Sequence, residues 1–178
     1  MIFSSYQPNT QNKIKALFTE TFSASEGESE GLLIGNLVEE MMTTTASEDL
    51  YGFVALQSEK IIGSIFFSRI WLETALNAFI LSPVAVHPAH QRKGVGQKLI
   101  NYGIQQLKDD GVTLLFTYGD PAYYIKVGFT QISENMVKAP LELSYPHGWL
   151  GQSLVDNEIK PVPGESRCVA ALNKAEYW

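Results

Sequence analysis

The residues best placed to do chemistry gather around a glycine loop. A β-branched run, Val84-Ala85-Val86, ends at His87-Pro88, and Gln91-Arg92-Lys93-Gly94-Val95-Gly96-Gln97 follows. An amphipathic run then reaches Lys108, so the pattern predicts strand, glycine loop, helix. Such a loop aims unpaired backbone N–H groups and the positive end of a helix dipole at one point. That suits an anion such as a pyrophosphate. Gly94 and Gly96 let the backbone approach without interference from a Cβ. The spacing fits neither of two common phosphate loops. A P-loop needs four residues between its glycines and then Gly-Lys-Ser/Thr. The dinucleotide loop needs Gly-x-Gly-x-x-Gly. The histidines, His87, His90 and His147, lack metal-ligand spacing, so no metal site is expected. Cys168 is the only cysteine, which excludes an intramolecular disulfide, and its apolar surroundings predict a small buried side chain.

Gln91-x-x-Gly94-x-Gly96 after the run 81–86 resembles the acetyl-CoA motif of the GNAT superfamily of N-acetyltransferases. Tyr124-Ile125-Lys126-Val127-Gly128-Phe129 resembles that family's Tyr-x-Lys/Arg-x-Gly-Phe segment. The two motifs occur in order, separated by a helical pattern and an apolar run, and the matched core spans residues 50–129. The resemblance implies an α/β (α+β) fold: a mixed twisted sheet, helices on both faces and a splayed parallel strand pair. It implies a single GNAT-like domain over residues 1–178. It also implies acetyl-CoA as co-substrate, held by Val84, Ala85, Val86, Gln91, Arg92, Lys93, Gly94, Val95, Gly96, Gln97 and Tyr124.

The implied reaction is direct acyl transfer to an amine. A tetrahedral oxyanion needs a hydrogen-bond donor, and the departing thiolate benefits from a proton. By resemblance, the Val84 backbone N–H is that donor and Val86 pairs with the pantetheine amides. Tyr124 matches the family's general acid; a phenol with pKa of about 10 carries its proton at neutral pH. Tyr123, one residue out of register, reads as structural. Some family members carry histidines on the splayed strand where this chain has Ile80 and Ser82, and neither can act as a base. The remaining candidates are Glu73, Asp120 and the acidic stretch Glu26, Glu28 and Glu30. Asp120 also reads as a helix cap, and the stretch as solvated charge. A water chain would serve equally. Thr117 stands where the family often has asparagine, and Asp120 where it often has alanine. The run Gly119-Asp120-Pro121-Ala122-Tyr123-Tyr124 resembles one GNAT subgroup.

The elements that must position these residues follow from periodicity. Residues 1–6 read as a strand. A helix with Ile14, Leu17, Phe18 and Phe22 on one face follows, capped by Asn9 or Thr10. Residues 23–30 read as a polar loop, and Leu33, Leu37, Val38 and Met41 mark a second helix. Residues 51–56 and 61–72 read as strands joined by the turn 57–60. Residues 78–86 are the next strand, the helix after Gly96 stops near Gly111, and 112–118 is a buried strand. Asp120-Pro121 opens a short helix. Residues 130–133 and 167–172 read as late strands, and 140–164 shows turn residues without a period.

The chain has 178 residues, 45% of them hydrophobic and 18% charged, which fits a globular protein with a sizeable core. A net charge of −6 argues against nucleic-acid binding, while the basic stretch from His87 to Lys98 suits a small polyanion. No run is long and apolar enough for a membrane span and no leader pattern is present, so the cytoplasm is the expected compartment. A homodimer is compatible with the resemblance alone. The leading expectation is an acetyl-CoA-dependent N-acetyltransferase acting on a small amine, an amino-acid derivative or a peptide amine. A non-catalytic acyl-CoA-binding sensor is the alternative. A nucleotide-binding protein is a weaker third, because the P-loop lysine and hydroxyl are missing.

Overall fold

The computed structural model describes residues 1–178 as two compact units, Met1–Phe67 with Pro83–Gly103, and Ser68–Ser82 with Ile104–Trp178. Two long strands and one helix contribute to both.

In the first unit, β1 (Ile2–Ser5) pairs antiparallel with β2 (Leu50–Gln57). A tight turn leads into β3 (Lys60–Leu72), with Ser58 and Glu59 at φ 49° and 63°. Two left-handed residues give the twist a two-residue hairpin needs, here without glycine. Alternation along β3 decides which helix covers which face. Phe66 points to α1 (Gln11–Glu26), its ring 6.1 Å from that of Phe18. Ile65 and Phe67 point to the opposite face. There a Cβ on Gly103 of α3 (Val95–Asp109) would meet Phe67 at 2.7 Å and Ile65 at 3.2 Å. Helices therefore cover both faces of this sheet, as expected.

α1 is longer than its sequence pattern predicts. Residues 23–30 are not a loop: α1 runs to Glu26 and α2 (Glu28–Thr44) begins two residues later. Gly27, at φ 103°, is the only break. The close approach of α2 explains this. A Cβ on Gly31 would meet the Thr19 carbonyl at 2.5 Å, and one on Gly35 would collide with the Thr19 hydroxyl. Small residues on α2 thus let tertiary packing extend α1 beyond its intrinsic signal.

In the second unit, β4 (Ala78–Val86) runs parallel to β5 (Leu114–Tyr118), in register from Ala78↔Leu114 to Leu81↔Thr117. Pro83 follows shortly after and has no N–H for a ladder. On the other side of β5 lies β7 (Trp149–Ser153), antiparallel, with β6 (Thr130–Gln131) beyond it. β8 (Ser166–Cys168) pairs with the end of β3, shorter than the expected strand 167–172 because a 3-10 turn takes Ala170–Leu172. β7 lies inside the stretch that showed no period. Its Gly151 faces a crowded core: an added Cβ would meet Ile132 at 3.2 Å and Phe116 at 3.4 Å. Trp149 stacks on Phe116 at 5.2 Å and donates to the Val137 carbonyl at 2.9 Å. The whole is a mixed open sheet of eight strands.

Candidate active site

The first unit holds the glycine loop. The His87 N–H donates to Ile62 of β3 at 2.9 Å. The Ala85 carbonyl also faces β3, 3.3 Å from the Cβ position of Gly63. Successive peptide groups of a strand point to opposite neighbours. Val84 and Val86 therefore aim their N–H and C=O groups away from β3. Gln91 Nε2 donates to the Val86 carbonyl at 2.9 Å, tying the loop back to the strand. His87 accepts from the Ala89 N–H at 3.2 Å, and Lys93 donates to the Ala89 carbonyl at 2.8 Å. These bonds give His87, Gln91 and Lys93 structural work within the loop.

Arg92 and Gly94 both lie in the left-handed region, at φ 58° and 75°. Left-handed residues on either side of Lys93 curl the backbone before the helix, and such turns form anion-binding concavities. Nothing lies within 4 Å of a Cβ built on Gly94, so the space in front of the loop is open. The Gly94 carbonyl accepts from Lys98 N–H at 3.1 Å, the first helical bond. The N–H groups of Val95, Gly96 and Gln97 precede that bond and stay available for a ligand. Val95, Leu99 and Ile100 are buried and anchor the first turns of α3 to the core. The donor set, the open approach and the positive charge of Arg92 fit a pyrophosphate.

The second unit holds Tyr124. Asp120 caps α4 (Pro121–Tyr124), its carboxylate accepting from the Ala122 N–H at 2.9 Å. This is the capping role its sequence context predicts. Tyr124 is pinned through its backbone, donating to the Asp120 carbonyl at 3.2 Å and accepting from the Phe129 N–H at 3.2 Å. Gly128, at φ 95°, makes that return turn. The rings of Tyr123 and Phe129 meet Tyr124 edge-on at 5.1 and 5.9 Å. The Tyr124 side chain is half-buried. Burial pushes the phenol pKa up to about 12, Tyr123 and Asp120 push the same way, and a hydrogen bond with Thr117 opposes them. Tyr124 is thus a phenol that keeps its proton.

Two residues around Tyr124 carry no sequence signal for this role. Thr117, fully buried at the end of the β4–β5 register, donates to the Leu81 carbonyl at 2.9 Å and opposes the rise of the Tyr124 pKa. Gly119 seats the ring: a Cβ there would lie 2.8 Å from Tyr124 Cε2. Glu73, in contrast, is not near Tyr124. It stands in the turn after β3, against Gly164, and the same turn is tied to the start of β5 by the Thr113 N–H bond to the Asn77 carbonyl, 2.9 Å. Tyr124 follows the far end of β5, about 13 Å along the strand at 3.3 Å per residue. That separation removes Glu73 as a base for chemistry beside Tyr124. Cys168 is half-buried and burial pushes its thiol pKa up to about 11, so it is an unreactive thiol. No helix is long and apolar enough to cross a membrane.

Comparison with known proteins agrees with this architecture. Residues 48–131 match the model of the acetyltransferase (GNAT) domain family. The uncharacterized N-acetyltransferase YjhQ of Escherichia coli (strain K12) is 29% identical over 139 residues, 75% of this chain and 76% of that protein. The crystal structure of the GNAT family N-acetyltransferase YhbS from Escherichia coli in complex with CoA superposes with a TM-score of 0.83. It is 22% identical, covering 98% of this chain and 92% of that one. A GNAT family acetyltransferase from Brucella melitensis in complex with acetyl-CoA gives a TM-score of 0.74 at 22% identity, covering 96% and 97%. The fold is the one these GNAT acetyltransferase structures share, and residues 48–131 match the model of the acetyltransferase (GNAT) domain.

Proposed function

We propose that this protein is an acetyl-CoA-dependent N-acetyltransferase that moves the acetyl group directly to a primary amine of a small molecule, an amino-acid derivative or a peptide. The observation that carries the reading is a phenol held protonated beside the end of a parallel strand pair, in a chain that also has an open, basic glycine loop at a helix N-terminus. The structural relatives bound to CoA and acetyl-CoA support the choice of donor. The whole chain, residues 1–178, acts in this reading as one GNAT-like domain. Cytoplasmic residence, absence of a nucleic-acid partner and a homodimeric assembly belong to the same reading.

Each group has a task. The N–H groups of Gly94 to Gln97 and the charges of Arg92 and Lys93 hold the pyrophosphate. The backbone of Val84 and Val86 pairs with the pantetheine arm, Ala85, expected there from the resemblance, turns its carbonyl to β3 instead, and Gln91 braces the Val86 carbonyl. A neutral amine attacks the thioester carbon, the C–N bond forms, and the Val84 N–H receives the oxyanion. The C–S bond then breaks. Tyr124 gives its proton to the thiolate sulfur, the amine nitrogen loses one proton to water, and solvent restores the phenol. A thermal-shift series with acetyl-CoA, CoA and ATP tests donor binding. Stabilisation by both CoA species and not by ATP is expected; stabilisation by ATP alone contradicts the reading. Thiol release across a panel of amines tests the transfer. Tight acetyl-CoA binding with no release for any amine would make the protein an acyl-CoA sensor instead.

A further inference from the structure

A cavity of about 170 Å³ opens in the second unit at the start of β5, the opposite end from Tyr124. Leu76, Leu114, Val155 and Val162 line it, with Pro161 and Pro163. Leu76 and Val155 stand at its mouth, 41% and 66% exposed. Apolar side chains left in water around one concavity mark a binding surface, as scattered ones do not. The walls are pinned. The Leu154 N–H donates to the Thr113 carbonyl at 2.9 Å, and the Thr113 N–H to the Asn77 carbonyl at 2.9 Å. Ser153 Oγ accepts from the Asp156 N–H at 2.9 Å. Ile159 packs over Gly151, and the Val162 N–H donates to the Met136 carbonyl at 2.7 Å. The space is therefore pre-formed, and a ligand need not order it.

Size and charge name the occupant. An apolar cavity of about 150 Å³ holds one benzene ring, so this one takes a body of that size. The charged residues of the lining are Asp156, Glu158 and Lys160. Asp156 and Lys160 pair with each other at 3.6 Å, which leaves the Glu158 carboxylate without an ion partner. Glu73 adds another carboxylate against Gly164, next to Pro163. We infer that this cavity is a non-catalytic binding site for a small primary ammonium that carries one ring or a branched aliphatic group. The apolar body fills the cavity and the ammonium meets Glu158 at the rim. Leu114 opens β5 and Tyr118 ends it, about 13 Å further on at 3.3 Å per residue. The occupant is thus not the amine that reacts beside Tyr124, and the inference does not depend on the acetyl-transfer reading. A second copy of the chain, with its net charge of −6, brings the wrong sign to an acidic rim.

Methyl NMR titration of the full chain tests this with benzylamine, benzyl alcohol and phenylacetate, which share a ring and differ in charge. Benzylamine should shift the methyl signals of Leu76, Val155 and Val162 saturably, with a dissociation constant of about 1 mM or tighter. Benzyl alcohol should bind more weakly, and phenylacetate more weakly still. Glu158→Lys should weaken benzylamine about threefold or more, the scale of an exposed ion pair lost and reversed. Leu76→Ser should weaken all three probes, because it removes apolar contact at the mouth. Both positions are exposed, and an unchanged Tm reports that the variants fold. Absence of a saturable shift up to about 10 mM benzylamine overturns the inference. So do shifts confined to the methyls of Val84, Val86 and Val127, which belong to the acetyl-transfer site. Phenylacetate binding as tightly as benzylamine, or full benzylamine affinity in Glu158→Lys, overturns the choice of a cation.

Discussion

Tyr124 sets the pH behaviour of the account. Its folded pKa is raised from 10.0 to about 12, so the protonated form persists well above the pH at which a free tyrosine ionises. An acid with a raised pKa is lost only as pH climbs through the raised value. The rate should therefore rise with pH as the acceptor amine loses its proton, with no falling limb up to about pH 10. A falling limb centred below pH 10, measured on stable enzyme, would assign the proton to another group. Gly119 gives a second residue-scale prediction. Gly119→Ala places a Cβ 2.8 Å from the Tyr124 ring, which must shift. Turnover should drop about tenfold or more, since a displacement near 1 Å costs up to about 10²-fold, while acetyl-CoA binding holds. Full turnover in Gly119→Ala would show that the seat is not needed. Tyr124 was legible in the sequence because Lys126, Gly128 and Phe129 keep it in register with a motif. Thr117 and Gly119 were not, because their effect on Tyr124 arises only when the end of β5 and the turn of α4 fold together.

The strand–loop–helix element carries the donor site, and its glycines are the sharpest probe. Gly94 sits at φ 75°, where a side chain is strained, yet nothing within 4 Å would obstruct one. Gly94→Val should therefore leave the fold intact, and it and Gly96→Glu, at a buried position, should each lower acetyl-CoA affinity tenfold or more, about 1.4 kcal/mol. Unchanged affinity in Gly96→Glu, read by calorimetry, would remove the loop from the site. Removing Arg92 should also flatten the salt dependence of binding. The helical hairpin offers a stability test. Gly31→Ala puts a Cβ 2.5 Å from the Thr19 carbonyl, so urea unfolding should show a loss of about 1–3 kcal/mol, the usual cost of overpacking. The long elements were readable because α3 has a strong helical period and β3 is a long run of β-branched and aromatic residues. β7 was hidden because its five residues include glycine and its partners lie far away in sequence. The α1–α2 turn was misread because residues 23–30 are polar, while packing of Gly31 and Gly35 holds them helical.

For the whole molecule, a net charge of −6 surrounds one basic loop. Glu28 and Glu30 lie in the first turn of α2, where they offset its dipole; Glu26 ends α1, where the dipole gives a carboxylate no support. An acidic molecule should concentrate cationic amines over anionic ones. Polyamines or lysine-like amines should therefore be acetylated faster than dicarboxylic amino acids, and the reverse order would contradict this. The central claim is acetyl transfer with Tyr124 as the proton source, and single-turnover kinetics test it most directly. Labelled acetyl-CoA bound to excess enzyme is mixed with amine, and the label in the amine and the free thiol are followed together. The account predicts that both appear one to one in the native protein, and that Tyr124→Phe slows both by roughly 10²–10⁴-fold with acetyl-CoA affinity unchanged. Tyr123→Phe should cost far less. Near-normal single-turnover rates in Tyr124→Phe, or thiol appearing without acetylated amine, would contradict it.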